Sequence, residues 1–414
     1  MPTPTARHTP WTPVDSAGRP LPAWVRDATL GVFVHWGPYS VPAWAEPTGE
    51  LGTVPDDQWY AHNAYAEWYA NTIRIEGSPA AAHHARVHGG RPYEDFLDTW
   101  HAEAYDPADW ARLFRAIGAD YVVPTAKHHD GVALWDAPGS GDLTTVARGP
   151  RRDLLAPLAE AVRREGMRFG VYYSGGLDWA FHPAPPHRST ADLERLRPQD
   201  AAYAHHAAGH LADLVDRYRP DVLWNDIDWP DAGKRPVPDA LVDLLARYRE
   251  AVPDGVVNDR WGVGAWDFRT SEYETSHDRE AQPGWEHCRG LGLSFGHNGR
   301  EDAALTLTPR ALARLYADVV SRGGRLLLNV GPTAAGEIPP VQRRTLEGAG
   351  PWLAALGPHT RGRGPLAADA LEVDGAGWWR AWSTAEGAVV VVDRADATVR
   401  AADGRRVHVV PLPR

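Results

Sequence analysis

Cysteine is almost missing from this chain of 414 residues, where Cys288 is the only one. That excludes an internal disulfide framework and the Cys/His zinc sites of usual spacing. Long apolar runs are missing too. None approaches the ~20 residues that a membrane-spanning helix needs, so no membrane partner is expected. Positive charge is in deficit, with 43 Lys and Arg against 54 Asp and Glu and a net charge of -11. With no basic stripe, a nucleic-acid partner is not expected. No Gly-x-Gly-x-x-Gly follows a strand pattern and no Walker-type loop occurs, so nothing points to a dinucleotide or nucleotide cofactor. The first residues, Met1-Pro-Thr-Pro-Thr-Ala-Arg, lack the apolar stretch of a signal peptide, and a cytoplasmic location is the expectation.

What is abundant is tryptophan, with 19 residues against 7 phenylalanines. An indole N–H needs a partner when buried, so many of these rings are expected to line a polar, aromatic-rich groove. Length allows one large domain or two of medium size. Eight short apolar runs end in polar or Gly-rich residues: 30–37, 120–130, 169–179, 220–229, 255–261, 267–273, 290–298 and 323–332. Near-continuous hydrophobic runs of this kind fit buried parallel strands. Helix-period segments lie between several of them, at 106–117, 151–166, 198–218, 236–251 and 308–322, with a closing helix at 338–356. The alternation predicts a (β/α)₈-like barrel over residues 1–356. The short fifth-to-sixth spacing and the polar sixth-to-seventh gap predict irregular outer helices there. Residues 357–414 carry short strand patterns with Asp/Gly turns and predict a small antiparallel β-domain.

In such barrels the chemistry sits at the carboxyl ends of the strands. Pro-Asp-Val-Leu-Trp-Asn-Asp-Ile-Asp-Trp-Pro, from Pro220 to Pro230, is the most informative of these ends. Period-two alternation places Trp224, Asp226 and Asp228 on one face. An aromatic ring beside a carboxylate suits a sugar, the ring stacking on its apolar face while the carboxylate attacks. The commoner fate of such an Asp is a helix cap in an acidic loop. The other strand ends decide the matter, because His35, His128, His129, Tyr173, Arg260, Glu272 and Asn329 converge on the same mouth. Two carboxylates on different strands can act as nucleophile and general acid, and Asp226 and Glu272 are the candidates. Asp130, Asp178, Asp228, Asp267 and Glu274 compete, each with a structural hydrogen bond as its plainer reading. His128 and His129 are expected on opposite strand faces, which disfavours one shared metal. His35, on a strand end neighbouring that of His128 and His129, points these imidazoles toward hydrogen bonding with sugar hydroxyls. Trp224 and Phe295, at the ends of their runs, suit the sugar's apolar edge.

The combination Leu30-Gly-Val-Phe-Val-His-Trp-Gly, Glu67-Trp-Tyr, Lys127-His-His-Asp-Gly, Tyr172-Tyr-Ser, Trp224-Asn-Asp and Asn258-Asp-Arg-Trp closely resembles the α-L-fucosidases of glycoside hydrolase family 29. The likeness continues through Trp266-Asp-Phe-Arg-Thr-Ser-Glu-Tyr, Gly292-Leu-Ser-Phe-Gly and Leu327-Leu-Leu-Asn-Val-Gly-Pro. It implies a barrel with a C-terminal β-sandwich and a retaining exo-mechanism on a fucoside, with no cofactor and no metal. By position it implies Asp226 as nucleophile and Glu272 as acid/base. His35, Glu67, Trp68, His128, His129, Tyr173, Trp224 and Arg260 fall at its fucose-contacting positions. Val132 and His297 stand where the family usually has aromatics, and the C-terminal region is shorter than the family's sandwich. The alternatives are the same chemistry on another deoxysugar of an intracellular metabolite, a metal-dependent barrel hydrolase, and a sugar-binding barrel without activity. Oligomeric state is left open.

Overall fold

The computed structural model describes residues 15–182, 184–273, 284–367 and 369–413. Eight parallel strands form one curled sheet: β1 (Leu30–Val34), β2 (Tyr121–Lys127), β3 (Arg168–Ser174), β4 (Val222–Asp226), β5 (Val256–Val257), β6 (Thr270–Glu272), β7 (Glu286–Gly290) and β8 (Arg325–Val330). Their order in the sheet is β5-β4-β3-β2-β1-β8-β7-β6. The two edge strands meet through a single parallel bridge between Asn258 and Phe268. That bridge turns the sheet into a barrel.

Alternation along each strand divides the core in two. Leu30, Val32, Val34, Val171, Leu223 and Val257 pack outward against the helices. Phe33, Tyr121, Val123, Tyr172, Val222, Trp224, Val256, Cys288 and Leu327 point into the lumen. Gly31 makes room there, since a Cβ at this position would come within 2.3 Å of the Tyr121 ring. The outer helices Pro107–Ala116, Ala201–Tyr218 and Pro309–Ser321 start where the sequence signals them. Asp106, Asp200 and Thr308 each accept a first-turn backbone N–H, and proline opens the first and third helices. Helices Leu155–Arg164, Leu241–Ala251 and Pro340–Leu356 complete the described cover of the barrel, and no helix separates β5 from β6. No described helix is long and apolar enough to cross a membrane.

The seventh strand departs from expectation. It is the polar segment Glu286–Gly290, whereas the apolar run 290–298 forms the loop that follows it. Glu286 and His287 are fully buried, so an apolar-run criterion passes over this strand. The C-terminal strands fall where the turn signals put them: β9 (Leu371–Asp374), β10 (Trp379–Thr384), β11 (Gly387–Val392), β12 (Thr398–Ala401) and β13 (Val407–Pro411). One pairing corrects the expected all-antiparallel arrangement, because β11 and β13 run parallel. The β10-β11-β13 sheet lies against the barrel's last helices: Trp382, Val389 and Val391 share the outer core with Leu312 and Leu353. The Trp352 indole donates to the Pro411 carbonyl at 2.8 Å.

Candidate active site

At the carboxyl end of the barrel is a cavity of about 160 Å³, lined by residues from the ends or following loops of β1–β7. Asp226 ends β4, Glu272 ends β6, and Arg260 comes from the segment after β5. One guanidinium joins the two carboxylates. Arg260 Nη1 donates to Asp226 Oδ1 at 2.9 Å, and Nη2 donates to Glu272 Oε2 at 3.0 Å. Tyr172 Oη donates to Asp226 Oδ2 at 2.9 Å, and Tyr65 Oη donates to Glu272 Oε1 at 3.0 Å. Burial alone would push the Asp226 carboxyl up. The Arg260 cation, with His129 and the Tyr172 hydroxyl, outweighs burial and holds it below the usual carboxylate value.

The histidines are neutral and their tautomers are fixed by their neighbours. Burial pushes His35 down to about 4 and His129 down to about 3. The Ser174 hydroxyl spends its hydrogen on the Leu177 carbonyl, so it accepts from His129 Nδ1 at 2.7 Å. Asn329 gives its amide N–H to the Phe295 carbonyl, which leaves its Oδ1 to accept from His35 Nδ1 at 2.7 Å. In both rings Nε2 is therefore a lone-pair acceptor, suited to a hydroxyl donor. His129 Nε2 lies 3.9 Å from Asp226 Oδ2. Glu67 accepts from Gly296 N at 2.7 Å and from Ser294 Oγ at 3.2 Å, and burial raises it to about 7. Carboxylates, neutral imidazoles and a cation thus face one cavity walled by Phe33, Trp68, Trp224 and Phe295.

The structure brings together Asp226, Glu272, His35, Glu67, Trp68, His128, His129, Trp224, Arg260 and Phe295. Three expectations are corrected. Tyr173 lies outside the cavity, on the helix-facing side of β3, with its hydroxyl 3.1 Å from His210 Nδ1. Its neighbour Tyr172 takes the inward position, because side chains alternate along the strand. His128 and His129 do not diverge: their ring centroids are 4.0 Å apart and both line the cavity. The β2–β3 register shifts between Thr125 and Lys127, and β2 ends there, so strand alternation no longer governs the two rings. Asp228 does not share the face of Asp226. The chain turns at Ile227, and Asp228 pairs with Lys234 and Arg197 instead.

The competing carboxylates among the described residues, Asp130, Asp178, Asp228 and Asp267, all have structural duties. Asp130 accepts from Tyr93 Oη, Asp178 from Lys127 Nζ, and Asp267 from Val257 N. Glu274 lies outside the described residues. Val132 and His297 are not among the lining residues. Sequence reasoning missed Tyr65 and Tyr172, the hydroxyl donors to the two carboxylates. Tyr172 becomes identifiable only once the β3–β4 register is known, in which it pairs with Trp224. Tyr65 sits in a loop, where no periodicity marks it. Among the described residues, no group of three or more His, Cys, Asp or Glu side chains is disposed to hold a metal ion.

The family model for alpha-L-fucosidase matches residues 3–358. Human tissue alpha-L-fucosidase is 34% identical over 372 residues, covering 86% of this chain and 72% of that protein. A solved alpha-L-fucosidase superposes with a TM-score of 0.85 at 45% identity, covering 92% of this chain and 85% of the other. The Thermotoga maritima alpha-fucosidase, solved in complex with fucose, superposes with a TM-score of 0.80 at 44% identity, covering 89% and 82%. The chain belongs to the alpha-L-fucosidase family.

Proposed function

We propose that this chain hydrolyses terminal α-L-fucosides with net retention, using Asp226 as nucleophile and Glu272 as acid/base. The observation that carries this reading is the Arg260 guanidinium bonded to both carboxylates in an aromatic-walled cavity. Two carboxylates serving one anomeric carbon from opposite sides of its bond need about 5–5.5 Å between them in a retaining enzyme. Asp226 Oδ attacks the anomeric carbon while the glycosidic C–O bond breaks, and Glu272 gives its proton to the departing oxygen. In the second step Glu272 takes a proton from water, whose oxygen attacks the same carbon and releases Asp226. The Arg260 and Tyr172 bonds keep Asp226 ionised, as a nucleophile and later a leaving group must be.

The sugar is read by opposite means on its two sides. The Nε2 acceptors of His35 and His129, together with Glu67, suit hydroxyl donors in fixed directions. An epimer would leave those buried groups unpaired, which costs far more than an added or missing methyl group. Trp68, Trp224 and Phe295 suit the ring's apolar edge and a C6 methyl. The test is a panel of nitrophenyl glycosides, followed by trapping with a 2-fluoro-fucosyl fluoride and peptide mass analysis. The α-L-fucoside should be cleaved best, before and after dialysis against EDTA, and the label should sit on Asp226. Preference for a D-galactoside or D-glucoside, or a label elsewhere, would overturn the reading.

A further inference from the structure

The turn that follows Asp226 has an unusual backbone. Ile227 has φ +67° and Asp228 has φ +116°, two consecutive non-glycine residues in the region that glycine favours. A β-branched residue there is a steric outlier, and each such residue costs of order 1–3 kcal/mol unless its surroundings hold it. The turn has a direct consequence for the nucleophile, because it brings the Ile227 N–H to Asp226 Oδ1 at 3.0 Å. That carboxylate oxygen also accepts from Arg260.

The surroundings that hold the turn converge on Asp228. Its carboxylate receives Lys234 Nζ at 2.7 Å and Arg197 Nη2 at 3.0 Å, and it accepts the Trp229 N–H at 2.7 Å. Its carbonyl accepts from Asn225 Nδ2 at 2.9 Å. Space is kept on both sides. A Cβ at Gly176 would come within 2.8 Å of Ile227, and one at Gly262 within 1.7 Å of Asp228 Oδ1. The Gly176 N–H also donates to the Asp226 carbonyl. Asp228 is partly buried and faces away from the cavity, so it has no part in touching the sugar.

We infer that Asp228 is a positioning residue: its ion pairs with Lys234 and Arg197 impose a backbone conformation that otherwise belongs to glycine, and that conformation aims the Ile227 N–H at the nucleophile. This rests on Asp226 as the nucleophile. The carboxylate matters here for the backbone shape it enforces, and that separates the idea from a simple charge effect. Alanine and glycine at position 228 both delete the ion pairs, but only glycine adopts φ near +116° without strain.

The experiment compares Asp228→Ala with Asp228→Gly in the full-length protein, using a nitrophenyl α-L-fucoside and thermal melting. Asp228→Ala should lose about ten- to a hundredfold in kcat with KM little changed, the scale of one hydrogen bond to a charged group. Its acid limb should move to higher pH, since Asp226 has lost a donor to its ionised form. Asp228→Gly should recover most of kcat and return the acid limb toward its original position. Equal losses in both variants would assign the effect to charge and overturn the inference, as would wild-type kcat in Asp228→Ala. A wild-type protein that cleaves no fucoside and binds no fucose-configured iminosugar would defeat the fucosidase reading itself. That result is distinct from a failed Ala–Gly difference in an active enzyme.

Discussion

The barrel lumen holds two charged clusters, one above the other, and they are built from nearly the same parts. In the upper one Arg260 bonds Asp226 and Glu272, with Tyr172 and Tyr65 as hydroxyl donors. In the lower one Arg325 Nε bonds Glu286 Oε2 at 3.0 Å, with Tyr121 Oη at 2.5 Å on the same oxygen and the Trp224 indole at 2.8 Å on the other. The lower cluster is sealed. Glu286 has no solvent exposure, and Arg325 is also stacked 4.1 Å from the Phe268 ring centroid. The upper cluster opens on the cavity, and each of its carboxylates can exchange a protein partner for a substrate atom. Chemistry therefore depends on access rather than on residue type. The lower cluster serves the upper through Trp224, whose ring is at once the cavity floor and a donor to Glu286.

The largest effect should come from Asp226→Ala. On the proposed mechanism it removes the attacking group, and kcat on an α-L-fucoside should fall by on the order of 10⁴ while the thermal melt stays near that of the wild type. Added azide should restore turnover and give the β-configured fucosyl azide. A melt lowered as much as the activity would erase the contrast between the clusters.

Glu272→Ala should follow, with a loss of ~10²–10⁴ that is greater for a poor leaving group than for nitrophenol, as proton donation requires. Equal losses on both substrates would speak against Glu272 as the acid. For the lower cluster the readout inverts. Glu286→Ala leaves the Arg325 cation buried and unpaired, so unfolding free energy should drop by about 3–5 kcal/mol, measured by urea titration. Normal stability in that variant would mean that the lower cluster holds nothing in place.

The smallest effect is a pH dependence confined to the upper layer. Unfolded His35 takes a proton below about 6.5, whereas the folded ring resists until about 4. Its contribution to stability is therefore complete above 6.5 and is lost as pH falls toward 4. A His35→Asn variant lacks this loss. The stability difference between wild type and variant should change by on the order of 2 kcal/mol between pH 7 and pH 5, against the wild type. A constant difference would show that the ring takes up its proton as readily in the folded chain as in the unfolded one.

Much of this arrangement was legible in the sequence where one period governs many residues. Seven of the eight barrel strands, the main outer helices and the C-terminal strands follow from apolar runs and from capping and turn signals. The polar Glu286–Gly290 strand was hidden because its partners, Arg325, Tyr121 and Trp224, come from three other strands. No local pattern announces a strand stabilised by a buried ion pair. At the site, Asp226 and Trp224 were readable from alternation within β4. Tyr172 and Tyr173 were not separable, because face assignment needs the register of β3 against β4. Asp228 was misplaced for a related reason: alternation was carried past the end of β4, where the backbone changes hand.

The barrel's seam has a dynamic consequence. Among the described residues, the Asn258–Phe268 bridge is the one ladder pairing between the β5 and β6 edges, where the other links are made by side chains such as Arg260 and Asp267, whereas β1 pairs along its length with both neighbours. Amide exchange should be slowest in β1, β2, β3 and β8 and fastest beside that bridge, where the fewest hydrogen bonds must break for the wall to part. Asp226 stands on β4 and Glu272 on β6, one on each flank of the seam. Breathing of the wall would therefore act on the gap between the two carboxylates, which Arg260 already spans, and a sugar bound across both would add a second tie over the seam.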